Sequence, residues 1–292
     1  MDKSDKISRR RFLQLGVGTI GAAIGGASVL SGCGGDAISV TPVIAPRLAS
    51  ASNFRDTAGS SDTGYLSASG MTMRKGVIYR SSALTLSAAD LATVDTLGIT
   101  QVYDLRMSPE IRSKPDVVPV GAVWQNLSVL GGVDLGVTPT TGATQTAFMF
   151  AMYRAFVTSE TARANFRMLF VDLVNNNGNQ VFHCTAGKDR SGWATAILHT
   201  ILGIPQQTIF ADYLLTNAYR TAEVATEIGL ARQSGGQDAA DMMAALQGAQ
   251  PSYMQTAFDQ VTASYGSMAS YLENGLQIDQ ATLREIRQRM LV

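Results

Sequence analysis

The sequence predicts an α/β fold with a mainly parallel central sheet flanked by helices, followed by a helical C-terminal third. Three observations support this class. Short apolar stretches typical of buried strands alternate with helical patterns up to about residue 202. One of these stretches leads through a polar loop into an apolar helix, a connection that places ligands at the carboxyl edge of such sheets. Beyond it, Pro205 and Pro251 begin segments with helical spacing.

The first 33 residues predict an export signal that is separate from the fold. Paired arginines at Arg9 and Arg10 precede a weakly apolar, glycine-rich run that extends to Leu30, as in twin-arginine signals. The run ends in Leu-Ser-Gly-Cys33, which resembles a lipobox, so Cys33 is expected to be lipidated and to become the N-terminus after cleavage. This pattern predicts a lipid anchor in the bacterial cell envelope, on its periplasmic or extracytoplasmic face.

Other interpretations of the N-terminal run are less favoured. The run from Phe12 to Leu30 has 19 residues without a charge, near the roughly 20 that a membrane-spanning helix needs, but it contains five glycines. An amphipathic surface helix is disfavoured because the run has no polar face. Residues 34–50 combine Gly and Pro with little periodicity and predict a flexible tether. Residues 51–292 then form one domain.

Charge and cysteine content exclude several classes of function. The chain carries 23 basic and 23 acidic residues, and removal of residues 1–33 leaves 18 against 21. This slightly acidic balance does not fit a nucleic-acid-binding protein. If Cys33 is lipidated, Cys184 has no disulfide partner within the chain. His183 and His199 are the only histidines and form no cluster in the sequence, so we expect neither a metal nor another cofactor.

Strands and one helix make up the first half of the predicted domain. Residues 76–79 and 99–105 read as strands, and a helix capped by Ser87 lies between them. A further strand follows at residues 123–127. Residues 128–146 contain many Gly and Thr residues and few apolar anchors. They predict either a mobile flap over the site or a passive surface loop.

Helical spacing dominates the second half. It begins near residue 147 and continues to Asn175, with Ser159 as a candidate cap. The apolar positions of this stripe are Ala162, Phe166, Leu169, Phe170 and Leu173. Residues 180–182 then form a buried strand. Residues 219–250 predict a helical lid with an apolar underside, although such a stripe is more often core packing. The residues of that underside are Met242, Met243 and Leu246.

The loop at residues 183–192 carries the candidate catalytic residues. It leads from a buried strand into the apolar helix at residues 193–202, so unpaired N–H groups of the helix start point into the loop. Cys184 and Arg190 stand at its two ends with five residues between them, which is enough backbone to wrap a tetrahedral oxyanion. His183 is expected to orient the loop.

These residue types suit phosphate chemistry. Arg190 offers a planar fork of donors that binds two phosphate oxygens at once. A helix N-terminus with cationic neighbours favours the thiolate form of Cys184, which then attacks without a separate base. An inert packing cysteine is the alternative, but the charges of Lys188 and Asp189 so close to a buried strand disfavour it. The residues expected to bind substrate are Thr185, Ala186, Gly187, Lys188 and Ser191.

The loop resembles the signature of cysteine-dependent protein tyrosine phosphatases, and its Gly-Lys-Asp-Arg form is similar to a bacterial tyrosine and lipid phosphatase branch. Further blocks resemble the same branch, in the same order, from residue 53 to near the C-terminus. They are Asn53-Phe-Arg-Asp56, Tyr79-Arg-Ser-Ser-Ala-Leu84, Asp104-Leu-Arg106, Ala211-Asp-Tyr-Leu-Leu-Thr-Asn217 and Tyr265-Gly-Ser267. The resemblance implies a cysteine-phosphatase-like fold and a phosphocysteine intermediate.

A proton donor for the leaving oxygen is expected near the mouth of the loop. The sequence lacks the Trp-Pro-Asp loop of many tyrosine phosphatases. Asp189 is the first candidate, and its structural alternative is to pair with Lys188 or orient Arg190. Asp104, at the end of a strand, is the second candidate, and its alternative is to bind loop amides. Arg106 either meets a second phosphate or forms a structural ion pair.

Three functional interpretations follow from these residues. The favoured one is a phosphatase acting on phosphotyrosine in proteins, with phosphoinositides as a further substrate class because Lys188 offers a charge for additional phosphates. The second is a catalytically silent phosphate-binding protein of the envelope, which the intact Cys184 and Arg190 argue against. The third is another thiolate enzyme, a sulfurtransferase or an arsenate reductase. Neither of these enzymes predicts the blocks that begin at Asp104 and Ala211.

Overall fold

A five-stranded sheet lies at the centre of the structure, a computed structural model that describes residues 45–292. The strands are β1 (Arg55–Asp56), β2 (Ile78–Ser81), β3 (Ile99–Asp104), β4 (Val123–Asn126) and β5 (Asn179–His183). Their order across the sheet is β1-β2-β5-β3-β4. Every neighbouring pair is parallel except β1 with β2. The predicted α/β class with a mainly parallel sheet is confirmed.

Helices pack on both sides of the sheet and make up most of the chain after β5. The helices are α1 (Ala88–Asp95), α2 (Ser108–Ser113), α3 (Gly142–Thr158), α4 (Glu160–Asn175), α5 (Arg190–Ile201), α6 (Gln206–Tyr219), α7 (Thr221–Gln247), α8 (Pro251–Tyr265), α9 (Met268–Ser270) and α10 (Gln280–Met290). A π-helical turn, Tyr271–Gly275, follows α9. The helical C-terminal third is therefore confirmed.

The predicted export signal, the lipidation site Cys33 and most of the tether lie outside the described residues. The described end of the tether packs on the domain, because Leu48 is buried and the Ser50 N–H donates to Asp90 Oδ2 at 2.7 Å. Leu48 belongs to an apolar cluster beside the sheet, so the domain begins earlier than the predicted boundary at residue 51. Within residues 45–292, no helix is both long enough and apolar enough to cross a membrane.

Side chains alternate between the two faces of the sheet and fill two apolar clusters. In β5, Val181 packs in the smaller cluster and Phe182 packs in the larger one. Val102 and Tyr103 of β3 divide between the clusters in the same way. Because both faces are buried, the strands read in the sequence as short apolar runs.

Several predicted helix starts are confirmed by their hydrogen bonds. Ser87 Oγ accepts the Asp90 N–H at 3.2 Å to cap α1, and Ser159 Oγ accepts the Ala162 N–H at 3.3 Å to cap α4. Pro251 occupies the first turn of α8, where a missing N–H removes no helical hydrogen bond.

Residues 128–146 are more firmly attached than the sequence suggests. Val129 and Leu130 are buried in the larger cluster, so the segment does have apolar anchors. Its last residues belong to α3, which begins at Gly142 after the cap Thr141. The sequence pattern did not reveal these two anchors, because two adjacent apolar residues among glycines show neither a helix nor a strand period.

The carboxyl ends of three parallel strands meet at one edge of the sheet. Ser81 of β2 and Asp104 of β3 are both paired in register with His183 of β5, which lies between them. Ligands in open α/β sheets bind beyond this edge. Cys184 follows β5 directly and therefore stands at the middle of it.

Candidate active site

The loop from Cys184 to Arg190 connects β5 to the first turn of α5. Cys184 is 2% exposed and Arg190 is 8% exposed, so the loop is largely enclosed. Gly187 has a φ of 65°, and a Cβ at this position would lie 2.4 Å from the Ser81 carbonyl oxygen. Only glycine fits here, which lets the loop close tightly against the end of β2.

Donors outside the loop bind four consecutive carbonyl oxygens, those of residues 185–188. The bonds run from Ala83 N to Thr185 O (3.1 Å), from Asn53 Nδ2 to Ala186 O (3.0 Å), and from Arg80 Nη2 to Gly187 O (2.6 Å) and Lys188 O (3.3 Å). In a trans peptide the N–H points opposite to the carbonyl. The N–H groups of residues 186–189 therefore face into the loop and form a concave set of donors suited to an anion.

A buried carboxylate holds Arg80 behind the loop. Arg80 Nη1 donates to Asp212 Oδ2 at 3.0 Å, and Arg55 Nη2 lies 3.5 Å from the same oxygen. Burial and the charge of Arg55 lower the pKa of Arg80 to about 10, so its guanidinium stays charged at neutral pH. Burial would raise the pKa of Asp212, but the two arginines lower it below its ordinary value. Three residues that are distant in the sequence, Arg55, Arg80 and Asp212, thus support the loop from behind.

A second carboxylate, which the sequence reasoning missed, holds Arg190. Glu110 Oε2 accepts from Arg190 Nη1 and Glu110 Oε1 accepts from Nη2, both at 2.7 Å. Oε1 also accepts the hydroxyl of Thr185. Burial would raise the pKa of Glu110, but the hydrogen bonds and charge of Arg190 lower it to about 2. The sequence feature that could have indicated Glu110 is Ser108-Pro-Glu110, which begins a helix shortly after β3.

Lys188 binds the end of α7. Its side chain is fully buried, and Nζ donates to the Leu246 carbonyl and, at 3.0 Å, to the Gly248 carbonyl. Nζ also lies 3.5 Å from Asp189 Oδ1. Burial lowers the pKa of Lys188, while the charge of Asp189 opposes that shift. This arrangement differs from the predicted substrate contact, since the ammonium here fastens α7 to the loop.

The predicted helical segment at residues 219–250 contains α7, which packs against α3. The helix is kinked at Gly235 and Gly236, where Gly236 has a φ of 71°. The two arms of α7 line an apolar cavity of about 850 Å³, together with Gln145 of α3. The predicted apolar underside lines the same cavity with Met242, Met243 and Leu246.

Asp189 lies inside the loop at the N-terminus of α5. Its side chain is 14% exposed, and Oδ1 accepts a hydrogen bond from the Tyr153 hydroxyl at 2.8 Å. The Asp189 side chain does not cap α5, so the first N–H groups of this helix stay available. Ser191 in the same turn has a buried hydroxyl without a hydrogen-bond partner among the described residues.

Asp104 does not occupy the position of a proton donor. Its carboxylate is buried, with Oδ1 accepting from Arg106 Nε at 2.8 Å and Oδ2 from Arg106 Nη2 at 2.7 Å. Oδ1 also accepts the Arg106 backbone N–H at 2.9 Å. Because a guanidinium engages both oxygens, this geometry argues against Asp104 as the proton donor. It supports the ion-pair alternative for Arg106, while the alternative in which Asp104 binds amides of the catalytic loop is not what the contacts show.

One cluster in the described part of the chain has the composition of a metal site. Asp104, Asp116 and His183 each place a ligand atom within 4.8 Å of the others. Arg106 Nη2 lies 2.7 Å from Asp104 and 2.9 Å from Asp116, so a cation of the protein already contacts both carboxylates. Burial would raise the pKa of Asp116, but His183 and Arg106 lower it to about 2. We therefore interpret the cluster as an ion-pair network that fixes His183, the residue before Cys184.

Comparisons with known proteins agree with this geometry. Residues 46–292 match the model of the tyrosine phosphatase family. A provisionally named tyrosine-protein phosphatase of Cupriavidus necator is 35% identical over 243 residues, which cover 80% of this chain and 84% of that protein. The triple specificity protein phosphatase PtpB of Mycobacterium tuberculosis is 31% identical over 196 residues, which cover 56% of this chain and 66% of PtpB. The chain therefore belongs to the tyrosine phosphatase family and is an enzyme of that class.

Proposed function

We propose that Cys184 is the nucleophile and that the reaction passes through a phosphocysteine. The observation that carries this proposal is the convergence of Cys184, the inward N–H groups of residues 186–189 and Arg190 around one space. The thiolate sulfur bonds to phosphorus as the bond from phosphorus to the ester oxygen breaks. The loop N–H groups and Arg190 stabilise the equatorial oxygens in the transition state. Water then forms a bond to phosphorus as the sulfur–phosphorus bond breaks, its proton goes to the carboxylate left by the general acid, and phosphate and the Cys184 thiolate are released.

Glu110 orients Arg190 without using all of its donors. Nε of Arg190 has no partner among the described residues, and the contacts of the guanidinium with Thr185 Oγ1 and Leu105 O are long, at 3.3 and 3.5 Å. Phosphate oxygens accept a hydrogen bond from Nε of Arg190 and replace the two long contacts of its guanidinium. The two 2.7 Å hydrogen bonds to Glu110 keep the guanidinium in place.

Asp189 is the proposed general acid, and it gives its proton to the leaving oxygen. A general acid acts only while it carries its proton, so its loss of activity belongs to the high-pH side of the rate profile. We expect Asp189→Asn to lose that side of the profile and Asp104→Asn to keep it. A profile that falls at high pH in Asp189→Asn as it does in the wild type would contradict the assignment.

The proposed substrate is phosphotyrosine in a protein, which the family and the names of the relatives support. Phosphoinositides are a second class. They gain a contact from Lys188 only if its ammonium leaves the carbonyls of Leu246 and Gly248, which counts against them in the observed arrangement. Turnover of a phosphotyrosyl peptide and of a phosphoinositide in vesicles, compared at equal enzyme concentration, ranks the two. We expect faster turnover of the peptide.

Phosphate release from an aryl phosphate in the presence of EDTA tests the proposed activity. The chain has two cysteines, so Cys33→Ala serves as a matched control for Cys184→Ser. We expect the wild type and Cys33→Ala to be active and Cys184→Ser to be inactive. An inert wild type that still binds phosphate favours the silent binding protein, and transfer from thiosulfate or reduction of arsenate favours the other thiolate enzymes. Full activity of Cys184→Ser contradicts the mechanism.

We also propose twin-arginine export and a lipid anchor at Cys33. The support is the sequence pattern of residues 1–33 alone. Labelling of cells with palmitate should mark the wild type and leave Cys33→Ala unmarked. An unlabelled wild type would remove the anchor from the proposal.

A further inference from the structure

We propose that Tyr153 is a positioning residue that holds one oxygen of Asp189, so that the transferable proton lies on the other oxygen. The inference rests on the proposed function, in which Asp189 is the general acid. Tyr153 belongs to α3, and its hydroxyl lies 2.8 Å from Asp189 Oδ1. Oδ2 of Asp189 has no hydrogen-bond partner in the part of the chain that the structure describes. One oxygen is thus tied to the protein interior and the other is left for the substrate.

A count of protons gives the direction of the hydrogen bonds. Tyr153 Oη lies 2.8 Å from Asp189 Oδ1 and 2.9 Å from Tyr213 Oη of α6. The Tyr153 hydroxyl has one proton and cannot donate to both. A carboxylate is the stronger acceptor, so Tyr153 donates to Asp189 and accepts the proton of Tyr213. The result is a chain of two hydroxyls that ends on Oδ1.

Both tyrosines stay protonated at neutral pH. Their side chains are buried, and burial raises the pKa of Tyr153 and the pKa of Tyr213 well above the ordinary value. The negative charge of Asp189 raises both further. A tyrosine hydroxyl that keeps its proton remains a donor, so Oδ1 stays occupied whether or not Asp189 carries the proton.

Groups from several elements face Asp189. Lys188 Nζ of the same loop lies 3.5 Å from Oδ1, the oxygen that Tyr153 also binds. Tyr153 approaches from α3, Tyr213 from α6 and Tyr253 from α8, while Arg190 follows in the chain. With the Tyr153 hydroxyl donating to Oδ1 and the Lys188 ammonium 3.5 Å from it, a proton is disfavoured on that oxygen. Oδ2 is therefore the favoured site for the proton.

The proton transfer balances within the first chemical step. The sulfur of Cys184 forms its bond to phosphorus while the phosphorus–oxygen bond of the ester breaks. The electron pair of that bond goes to the leaving oxygen, which takes the proton from Asp189 Oδ2. Asp189 is left as a carboxylate, and Tyr153 and Lys188 stabilise its charge at Oδ1.

Leaving groups of different basicity test the proposal. Phenyl phosphate leaves as a basic oxygen that needs the proton, whereas p-nitrophenyl phosphate leaves readily without it. We expect Tyr153→Phe to lower kcat/KM for phenyl phosphate about tenfold or more, and for p-nitrophenyl phosphate about threefold or less. In an Asp189→Asn background, Tyr153→Phe should have no further selective effect. Tyr253→Phe is the matched control, since its hydroxyl donates to Ala245 O instead.

The outcomes separate this inference from the proposed function. A wild type inactive on both esters would refute the function itself. An active wild type with equal losses on both esters in Tyr153→Phe would overturn the positioning role alone. The positioning role would also be overturned if Tyr253→Phe showed the same selectivity as Tyr153→Phe. Thermal unfolding checks that each variant folds, and if Tyr153→Phe does not, Tyr213→Phe decides, with a smaller loss selective for phenyl phosphate expected.

Discussion

Replacement of Glu110 by Gln tests the carboxylate that holds Arg190. Glu110 makes two 2.7 Å bonds to the guanidinium, and a neutral amide keeps one acceptor oxygen where the carboxylate has two. The pair is mostly enclosed, with the Glu110 side chain 23% exposed. We therefore expect Glu110→Gln to weaken both the fold and the catalytic loop.

The size of the effect follows from the pKa of Glu110, which is lowered from 4.5 to about 2. One pKa unit corresponds to about 1.4 kcal/mol, so ionised Glu110 stabilises the native state by about 3 kcal/mol. Because the pKa in the folded state lies below that in the unfolded state, this stabilisation is present above pH 4.5. It is lost as the pH falls toward about 2, and between about pH 7 and about pH 3.5 the loss is about 1.4 kcal/mol.

Urea unfolding at several pH values measures this contribution. We expect Glu110→Gln to reduce the free energy of unfolding by up to about 3 kcal/mol at neutral pH and by a smaller amount near pH ~3.5. The value of kcat/KM should fall about tenfold because Arg190 loses its fixed orientation. Glu160→Gln is the control, since Glu160 is exposed in the first turn of α4, and its effect should be within about 0.5 kcal/mol. A destabilisation by Glu110→Gln that does not change with pH would refute the reasoning.

Two further substitutions test Arg80, which supports the loop from behind, and the tight turn at Gly187. Arg80→Met leaves Asp212 with a single arginine and removes the donor to two loop carbonyls, so urea unfolding should show a loss of about 3–5 kcal/mol. An unchanged midpoint of urea unfolding would show that the Arg80–Asp212 pair makes no net contribution to stability. Gly187→Ala forces a Cβ to within 2.4 Å of a carbonyl at a φ of 65°, whereas Gly203→Ala has a similar φ of 71° and open space. Both substitutions should lower the free energy of unfolding by about 1–2 kcal/mol because alanine is strained at a positive φ. Only Gly187→Ala should abolish phosphate release. Equal activities of the two variants would contradict the close packing of the loop.

The strand-loop-helix turn was predictable because its signals are local. A short apolar run precedes Cys184, and an apolar helix follows Arg190 without a break. Strand and helix patterns elsewhere were equally local, and Ser87 and Ser159 cap the helices that they predicted. The antiparallel strand β1 was missed because its two residues, Arg55 and Asp56, are charged and carry no strand pattern.

The supports of the loop come from elsewhere in the chain, so spacing within the loop does not reveal them. Tyr153 is separated from Asp189 by 36 positions and Glu110 from Arg190 by 80. Tyr153 and Glu110 each lie on a helix whose sequence pattern indicates burial or capping. That pattern does not indicate which distant residue the side chain contacts. Asp104 shows a different limit, because its guanidinium partner Arg106 is visible in the sequence only two residues away but the geometry of their contact is not.

The blocks that resemble the family now have physical roles in this chain. Asn53 and Arg80, from the first two blocks, bind loop carbonyls, and Asp212 holds Arg80. In the same block as Asp212, Asn217 exchanges two hydrogen bonds with Ala249, at 2.9 and 2.8 Å, and so fixes the chain just after α7. Most of these residues shape the loop from outside and leave the chemistry to the loop itself.

Identification of the phosphorylated residue during turnover tests the central claim most directly. The enzyme is mixed with an aryl phosphate, quenched in acid within the first turnovers, digested and analysed by mass spectrometry. We expect phosphate on the peptide that contains Cys184 in the wild type and none in Cys184→Ser. Phosphate on another residue, or sustained turnover with no phosphate on Cys184 at any quench time, would contradict the account.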